Sequence, residues 1–235
     1  MWLLAVAAAS PYGTCLLAQN NEHEFVNQNS FNLRAGSATT TIVQLHTCTT
    51  APSHQPSFVL PVNLQGPGFY TAQIGYDAQS GGTMHFVYTP LDTNGDMQPF
   101  PGAPSPVIGR SYTFGIYDSA FFAGCSGTKW IYTLDDNATG KRWTACGTRS
   151  APNAESMWSG FEVYDSNDQM GGNSTTGYAI IKDIQYANQY NWYWFTTTTL
   201  VRNCCDGTSF HEPWWQTSAY LYSGRTRVAA YTLAH

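Results

Sequence analysis

Short runs of β-branched and aromatic residues alternate with clusters of Gly, Pro, Asn and Asp along most of the chain. This alternation of strand-forming runs and turn-forming clusters restricts the fold more than any other feature of the sequence. Helical periodicity does not extend over any useful length. The sequence therefore predicts an all-β chain, with strands at 40–46, 57–64, 69–76, 83–89, 111–117, 129–135, 160–164, 178–186, 190–201, 218–222 and 225–233.

The side chains supply enough apolar surface for a large core and little charge for the exterior. Hydrophobic residues make up 43% of the 235 residues and aromatic residues 15%, so the chain can bury a substantial core. Charged residues make up only 11%, the net charge is −5, and no run of Lys or Arg could neutralise a row of phosphates. We expect one antiparallel β-sandwich domain over 19–235 and no nucleic-acid partner.

The first residues have the apolar core of a signal peptide. Residues 2–9 form an apolar run that is too short to cross a membrane and about right for the core of a secretion signal. Cleavage after Ala18 would remove Cys15, whereas cleavage after Ala9 would keep it. We predict a signal peptide over 1–18, with the cleavage site left open, a secreted protein and no membrane-spanning segment.

Cysteine usage indicates an oxidising compartment. The six cysteines lack the paired spacing of a zinc site, so we expect disulfides. Cys204 and Cys205 are neighbours, and a bond between neighbours is strained, so each should have a different partner. The preferred arrangement is a clip that involves this pair together with Cys125 and Cys146. Connectivity stays open among the full set, which is Cys15, Cys48, Cys125, Cys146, Cys204 and Cys205.

Period-2 alternation assigns two polar residues to the outer face of a sheet. In the run 69–76, the apolar neighbours of Gln73 point to one face and Gln73 points to the other. In the run 160–164, Glu162 and Tyr164 share the face opposite to the apolar residues. If the apolar sets form the core, Gln73 and Glu162 both emerge on the outer face and form a candidate functional pair.

Four runs in the middle and later part of the chain resemble the concanavalin A-like lectin and glucanase superfamily. They read GRSYTFGIYD, KWIYTLDDNATGK, WSGFEVYDSND and GYAIIKDIQYAN, in that order. In the superfamily pattern, a strand that closes with Tyr or Trp, an Asp-x-x-Thr-Gly hairpin and an acid-bearing strand follow one another. The resemblance covers roughly 57–194 and implies a jelly-roll β-sandwich whose concave face binds an extended polymer.

The run TAQIGYD at 71–77, followed by an aromatic strand, is similar to the Gln-bearing strand of the secreted glutamic peptidases. The resemblance places that family's catalytic Gln on Gln73 and its catalytic Glu on Glu162. The family's Glu directly precedes a Trp, whereas here Phe161 precedes Glu162 and a strict alignment puts the acid position on Gly160. The implied chemistry is amide hydrolysis, in which the Glu activates a water and the Gln amide stabilises the oxyanion.

Glycoside hydrolysis is a second chemistry open to the same acid. It needs two carboxylates that flank one glycosidic bond. Glu162 with Glu212, or Glu162 with Asp118, supplies such a pair. The Glu-x-Asp-x-x-Glu strand that is familiar in the superfamily is missing, because only Asp165 follows Glu162 at the third position.

Carbohydrate binding asks for less than catalysis, because aromatic faces stack on sugar rings and polar neighbours bind the hydroxyls. Two clusters, NWYW at 191–194 and HEPWW at 211–215, supply such rings. Most aromatic rings in a β-protein fill the core, but enough remain here for one stacking platform. The candidate ligand-binding residues are Trp192, Trp194, Trp214, Trp215, Tyr164 and His85.

Sites for metals and glycans are few. Asp92, Asn94 and Asp96 place oxygen atoms at alternating positions, as calcium loops do, but the later Gly and Glu of such loops are missing, so a turn is favoured. The histidines show no metal-ligand spacing, so we predict no zinc. We predict no cofactor, with calcium at the Asp92–Asp96 turn as the open alternative. The sequons at Asn137 and Asn173 are candidate glycosylation sites.

Three functions follow from these features. The leading prediction is a secreted carbohydrate-binding domain that uses a concave sheet face and exposed aromatics, with a carbohydrate or other extracellular polymer as its partner. The alternative is a hydrolase on the same fold, either similar to the glutamic peptidases or active on glycans. A second alternative is an extracellular structural or adhesive protein, since the surface is rich in Tyr and poor in charge.

Overall fold

A computed structural model gives the fold. The structure describes residues 19–45, 57–66, 71–79, 83–90, 97–120, 122, 124–127, 130–147, 154–165, 178–189, 191–204 and 215–232. The expected signal peptide, the Asp92–Asn94–Asp96 turn, Asn173, Glu212 and Trp214 lie outside these residues.

Fourteen strands form in the described part of the chain, and every strand pair is antiparallel. The all-β, antiparallel class predicted from the sequence is confirmed. The strands are β1 (Gln19–Thr41), β2 (Ser57–Gln65), β3 (Thr71–Ala78), β4 (Met84–Tyr88), β5 (Gln98–Pro99), β6 (Ser111–Asp118), β7 (Trp130–Asp136), β8 (Lys141–Cys146), β9 (Ala154–Asp165), β10 (Ala179–Asn188), β11 (Asn191–Trp194), β12 (Leu200–Cys204), β13 (Trp215–Tyr222) and β14 (Arg225–Thr232).

The long strand β1 belongs to two layers. Its first part pairs with β9 and β12, and its second part pairs with β6 and β10. The pairing with β9 is irregular between Asn29 and Leu33, and Asn32 there has φ 58°, a conformation that Asn tolerates better than most residues. The first layer therefore runs β5-β4-β3-β2-β9-β1, and the second runs β8-β7-β6-β1-β10-β14-β13.

The main core lies between the two layers. The rings of Phe86 on β4 and Tyr112 on β6 are 4.8 Å apart between centroids, and those of Tyr88 and Tyr132 are 5.1 Å apart, although neither pair of strands shares a ladder. The Tyr132 hydroxyl also donates a hydrogen bond of 2.7 Å to the Thr89 carbonyl. Aromatic contacts and one buried polar bond thus join the layers into a sandwich.

The main differences from the predicted strands lie at β1, β8, β9 and the run 190–201, and the two-residue strand β5 was not predicted. Strand β1 begins at Gln19, far before the predicted strand at 40–46, because its polar Asn, Gln and His residues hide the alternation. Strand β8 was not predicted, since KRWTAC has only one large apolar residue. Strand β9 begins at Ala154 instead of residue 160, and the predicted strand 190–201 is split into β11 and β12.

Cys125 and Cys146 are bonded to each other, with Cα atoms 5.7 Å apart. The expectation of a clip from these two to the vicinal cysteines is therefore wrong for both. The bond ties a turn after β6 to the last residue of β8, so it closes a local hairpin rather than a long-range link. In the described residues, no helix is long and apolar enough to cross a membrane.

Candidate functional site

The outer face of the first layer carries the residues that the sequence singled out. On β3, Ala72, Ile74 and Tyr76 are buried in the main core, which leaves Gln73 and Asp77 on the opposite face. On β9, Met157 and Phe161 belong to the same core, so Glu162 faces outward like Gln73. The face assignment derived from period-2 alternation thus agrees with the structure. We call this surface the outer face.

Apolar side chains cover part of the outer face. Phe58, Leu60 and Val87 form a small apolar cluster there, and Met97 packs against it. Glu162 pairs with Phe58 across β2 and β9 and is only 7% exposed. The sequence had indicated a surface position, but Glu162 is buried beside Phe58 of this cluster.

Strand register separates Gln73 from Glu162. Gln73 is level with Asn63 of β2 and Trp158 of β9, whereas Glu162 is level with Phe58. The offset is four residues, or about 13 Å along the strands, and β3 and β9 are two strand spacings apart, about 9.6 Å. The two Cα atoms are therefore roughly 16 Å apart. Both residues share one face of one sheet, but the described geometry places them in different rows.

Gln73 is half-buried and held by Thr89. The Thr89 hydroxyl lies 3.1 Å from Gln73 Oε1 and 2.7 Å from Met97 Sδ, and its single proton can serve only one of them at a time. The Thr89 backbone N–H also donates to the Gln73 carbonyl at 2.9 Å. Within the described residues, Gln73 Nε2 has no hydrogen-bond partner, so its two donors are available to a bound molecule.

Asp77 is the most buried acid of the outer face. Its carboxylate accepts hydrogen bonds from the His85 backbone N–H at 3.0 Å and from Gln79 Nε2 at 3.3 Å. His85 Nδ1 lies 3.3 Å from Oδ1, a long contact that adds attraction when the ring is protonated. Burial is the largest influence, and it raises the pKa of Asp77 despite the lowering effects of Gln79 and His85.

Two glycines leave no room for side chains in the middle of the outer face. A Cβ on Gly75 would lie 1.9 Å from the Val59 carbonyl oxygen, and one on Gly160 would lie 2.1 Å from the Glu24 carbonyl oxygen. Gly160 therefore lies where no acid fits, which disfavours the strict alignment that puts the catalytic acid there. Between Gln73 and Asp77, and between Trp158 and Glu162, the neighbouring backbone approaches closely.

The candidate sugar-binding residues whose side chains the structure describes lie on two different layers. Trp192 is 41% exposed and contacts Tyr117, and Trp194 is half-buried under Arg225; both lie on β11 of the second layer. His85 lies on the outer face of the first layer, beside Asp77. The side chains of Trp215 and Tyr164 lie outside the described residues.

The second carboxylate proposed for glycoside hydrolysis is also elsewhere. Asp118 lies on β6 in the second layer, where Arg34 contacts it at 3.3 Å and the Ala120 N–H donates to it at 2.9 Å. Glu162 and Asp118 are therefore not brought together. In the described residues, no group of three His, Cys, Asp or Glu is placed to hold a metal ion. Asn137 is exposed in the turn between β7 and β8.

Sequence reasoning missed Asp77, Asn63 and Thr89. Asp77 had a usable signal, because it lies two same-face steps after Gln73 in TAQIGYD. Asn63 had none, since an irregularity between Val59 and Val62 resets which residues of β2 face outward. Thr89 follows the end of β4, so alternation alone does not assign its contact with Gln73.

Solved peptidase structures share this fold. A scytalido-glutamic peptidase with a transition state analog inhibitor has a TM-score of 0.60 and 11% identity, over 92% of this chain and 98% of that chain. The same peptidase with a peptide-based transition state analog has a TM-score of 0.56 and 13% identity, over 92% and 98%. SCP-B, a member of the Eqolisin family of peptidases, in complex with the tripeptide Ala-Ile-His, has a TM-score of 0.55 and 12% identity, over 92% and 98%.

Comparison of the sequence alone identifies no related family. No protein-family model matches it, and no curated protein matches it significantly. The similar structures support the resemblance to glutamic peptidases in part, and the concanavalin A-like assignment is not confirmed. At these identities the likeness concerns architecture alone: the chain has the antiparallel β-sandwich fold seen in the glutamic peptidases.

Proposed function

We propose that the protein is a secreted hydrolase that cleaves polypeptides on the outer face of its first layer. The observation that carries this proposal is the pairing of a glutamic-peptidase fold with a Gln and a buried Glu on one face of one sheet. Solved structures of that fold hold peptide-like inhibitors and a tripeptide. The Cys125–Cys146 disulfide supports the secreted location.

Glu162 is the proposed general base and Gln73 the proposed oxyanion donor. The Glu162 carboxylate takes a proton from water, the water oxygen attacks the scissile carbonyl carbon, and the carbonyl oxygen gains negative charge beside Gln73 Nε2. The proton then passes from Glu162 to the leaving nitrogen as the C–N bond breaks. Gln73 suits this role because Thr89 holds its oxygen and leaves its N–H groups for the substrate.

The row offset sets where the substrate must lie. Both side chains stand outward from the sheet, so each has to lean toward the other to narrow the roughly 16 Å between their Cα atoms. In the proposed reaction a water and a carbonyl group lie between them, with the base on the side of the water and the donor on the side of the carbonyl oxygen. The proposal therefore requires a scissile bond that lies between the row of Gln73 and the row of Glu162.

Cleavage of an unfolded, carboxymethylated protein tests the proposal. Between pH 2 and pH 7, wild type should release peptides, Glu162→Gln should lower kcat by about 10²–10⁴-fold, and Gln73→Ala should lower it by about 10²–10³-fold. Peptides are identified by mass spectrometry, and circular dichroism confirms that each variant is folded.

Matched controls separate the site from general effects. Glu155→Gln removes an exposed acid from the same strand, and Gln98→Ala removes an exposed amide from β5. Both should cleave like wild type. Absence of cleavage by folded wild-type protein would refute the proposed function, and activity that depends on Glu155 instead of Glu162 would refute the assignment of the base.

A further inference from the structure

A second polar site lies on the other layer, at the hairpin of β13 and β14. A pocket of ≈ 290 Å³ is lined there by Asp183, Tyr222, Ser223, Arg225, Thr226 and Arg227. None of these residues takes part in the outer face. The hairpin turns through Ser223 and Gly224, with φ 52° and 75°, which is the positive-φ pair of a tight type I′ connection.

Both arginines of the pocket are stacked on aromatic rings. The Arg225 guanidinium carbon lies 3.6 Å from the centroid of Trp194, and that of Arg227 lies 3.8 Å from the centroid of Tyr222. A guanidinium that stacks on a ring keeps the N–H groups of its edge for other partners, and its orientation is fixed in advance. The pocket thus presents two oriented sets of donors.

Within the described part of the chain, the side chains of the two arginines do not form short ion pairs. Arg225 Nη1 is 3.8 Å from Asp183 Oδ1, which is too long for a hydrogen bond, and both side chains are about half exposed. Arg227 makes no ion pair with any described residue. Two positive charges and one negative charge line the pocket, so it is locally positive in a protein whose net charge is −5.

The spacing of the two arginines matches an extended peptide. Arg225 and Arg227 are alternate residues of one strand, so their Cα atoms are about 6.7 Å apart. Side chains of the same face in any extended peptide repeat at this distance. Tyr222 and Tyr220 pair directly with Arg225 and Arg227 and are exposed, so they can pack against the residues that the arginines bind.

We propose that this pocket binds an acidic polypeptide segment in extended conformation, with carboxylates at alternate positions on Arg225 and Arg227. Each carboxylate accepts paired hydrogen bonds from one guanidinium edge, the arrangement for which arginine is best suited. The proposal is independent of hydrolysis, because the pocket lies on the second layer and shares no residue with the outer face.

Fluorescence polarisation with two labelled peptides of equal composition tests the register. The probe is (Glu-Ser)6, which places acids at alternate positions, and the comparison is (Glu-Glu-Ser-Ser)3, which does not. Wild type should bind the alternating peptide several-fold more tightly, and added salt should weaken binding. The measurement is repeated in Glu162→Gln, which should bind equally well and guards against cleavage of the probe.

Substitutions test the residues. Arg225→Gln and Arg227→Gln should each weaken binding of the alternating peptide about tenfold, as expected for loss of a charge-assisted pair. Arg142→Gln removes the same charge from β8, where Asp135 pairs with it, and should bind like wild type. Equal affinity for the two peptides, or equal affinity of all three variants, would overturn the proposal. Binding of polygalacturonate but not of the acidic peptide would overturn it too, in favour of an anionic glycan.

Discussion

Asp77 and Glu162 are level with each other on the outer face, because both pair with Phe58 of the strand between them. Asp77 is 2% exposed and Glu162 is 7% exposed, so two acids are removed from water on the same face. At neutral pH the charged Asp77 carboxylate must be solvated by the few polar groups around it, which include the His85 backbone N–H and Gln79. Burial raises the pKa of Asp77, so protonation of this group in acidic solution relieves part of that cost.

The first prediction concerns the pH dependence of stability. Burial raises the pKa of Asp77 in the folded state, so the folded protein holds this proton more tightly than the unfolded chain does. Its contribution to stability is fully present below the ordinary Asp pKa and is lost as pH rises through the raised value. Asp77→Asn should flatten this fall between about pH 3 and pH 7, measured as melting temperature against pH.

Glu155→Gln is the control for that experiment, because Glu155 is an exposed acid of β9. It should keep the wild-type fall of melting temperature with pH. If Asp77→Asn shows the same curve of melting temperature against pH as wild type and Glu155→Gln, burial of Asp77 is not the cause of the fall in stability with rising pH.

The second prediction concerns the hold of Thr89 on Gln73. Thr89→Val keeps the shape of the side chain and removes the hydroxyl that lies 3.1 Å from Gln73 Oε1. Gln73 can then rotate, so under the proposed function kcat should fall about tenfold, the cost of one lost hydrogen bond, with KM nearly unchanged. Stability should fall by about 1 kcal/mol or less, because the freed amide can reach water.

Thr113→Val provides a matched comparison, since the Thr113 hydroxyl bonds to Thr39 at 2.9 Å in the second layer. It should lose a similar amount of stability and no activity. A Thr89→Val enzyme with wild-type kcat, or one whose loss is confined to KM, would remove Thr89 from the positioning of Gln73.

The third prediction concerns backbone packing beneath the outer face. Gly160→Ala puts a Cβ 2.1 Å from the Glu24 carbonyl oxygen and 2.5 Å from the Phe25 Cα, and backbone cannot move aside as a flexible side chain does. The free energy of unfolding in urea should fall by about 2–3 kcal/mol. Gly140→Ala has open space around it and φ 71°, so it should cost only about 1 kcal/mol. Equal losses would mean that β1 and β9 can separate to admit the methyl group.

Alternation and turn chemistry were enough to predict the fold class, most strands and the outward faces of Gln73 and Glu162. They were not enough to predict which residues are level across strands. The register across β2 depends on the irregularity between Val59 and Val62. The sequence SFVLPVNLQ gives no signal for the size of this register shift. Sequence reasoning therefore placed Gln73 and Glu162 on one face but could not place them in rows.

The aromatic residues show a second feature that local sequence does not predict, namely the layer that a strand joins. The sequence indicated Trp192, Trp194 and His85 as candidate ligand-binding residues. Their strand β11 pairs only with the end of β10 in the second layer, whereas His85 is on β4 of the first. Which layer a strand joins depends on long-range pairing, and here β1 changes its pairing partners near the irregularity at Asn32. Local patterns carry no information on that choice.

The last prediction concerns the disulfide between Cys125 and Cys146, which closes a loop with a sequence separation of 21 residues. A loop of this length restricts the unfolded chain by about 3 kcal/mol, so Cys125→Ser combined with Cys146→Ser should lower the melting temperature by roughly 10 °C. Full reduction of wild type should lower it at least as far. Any further drop when the double variant is reduced reports on bonds among the remaining cysteines, including Cys204 and Cys205. A double variant that melts like wild type would mean that the hairpin of β7 and β8 holds this loop closed without the bond.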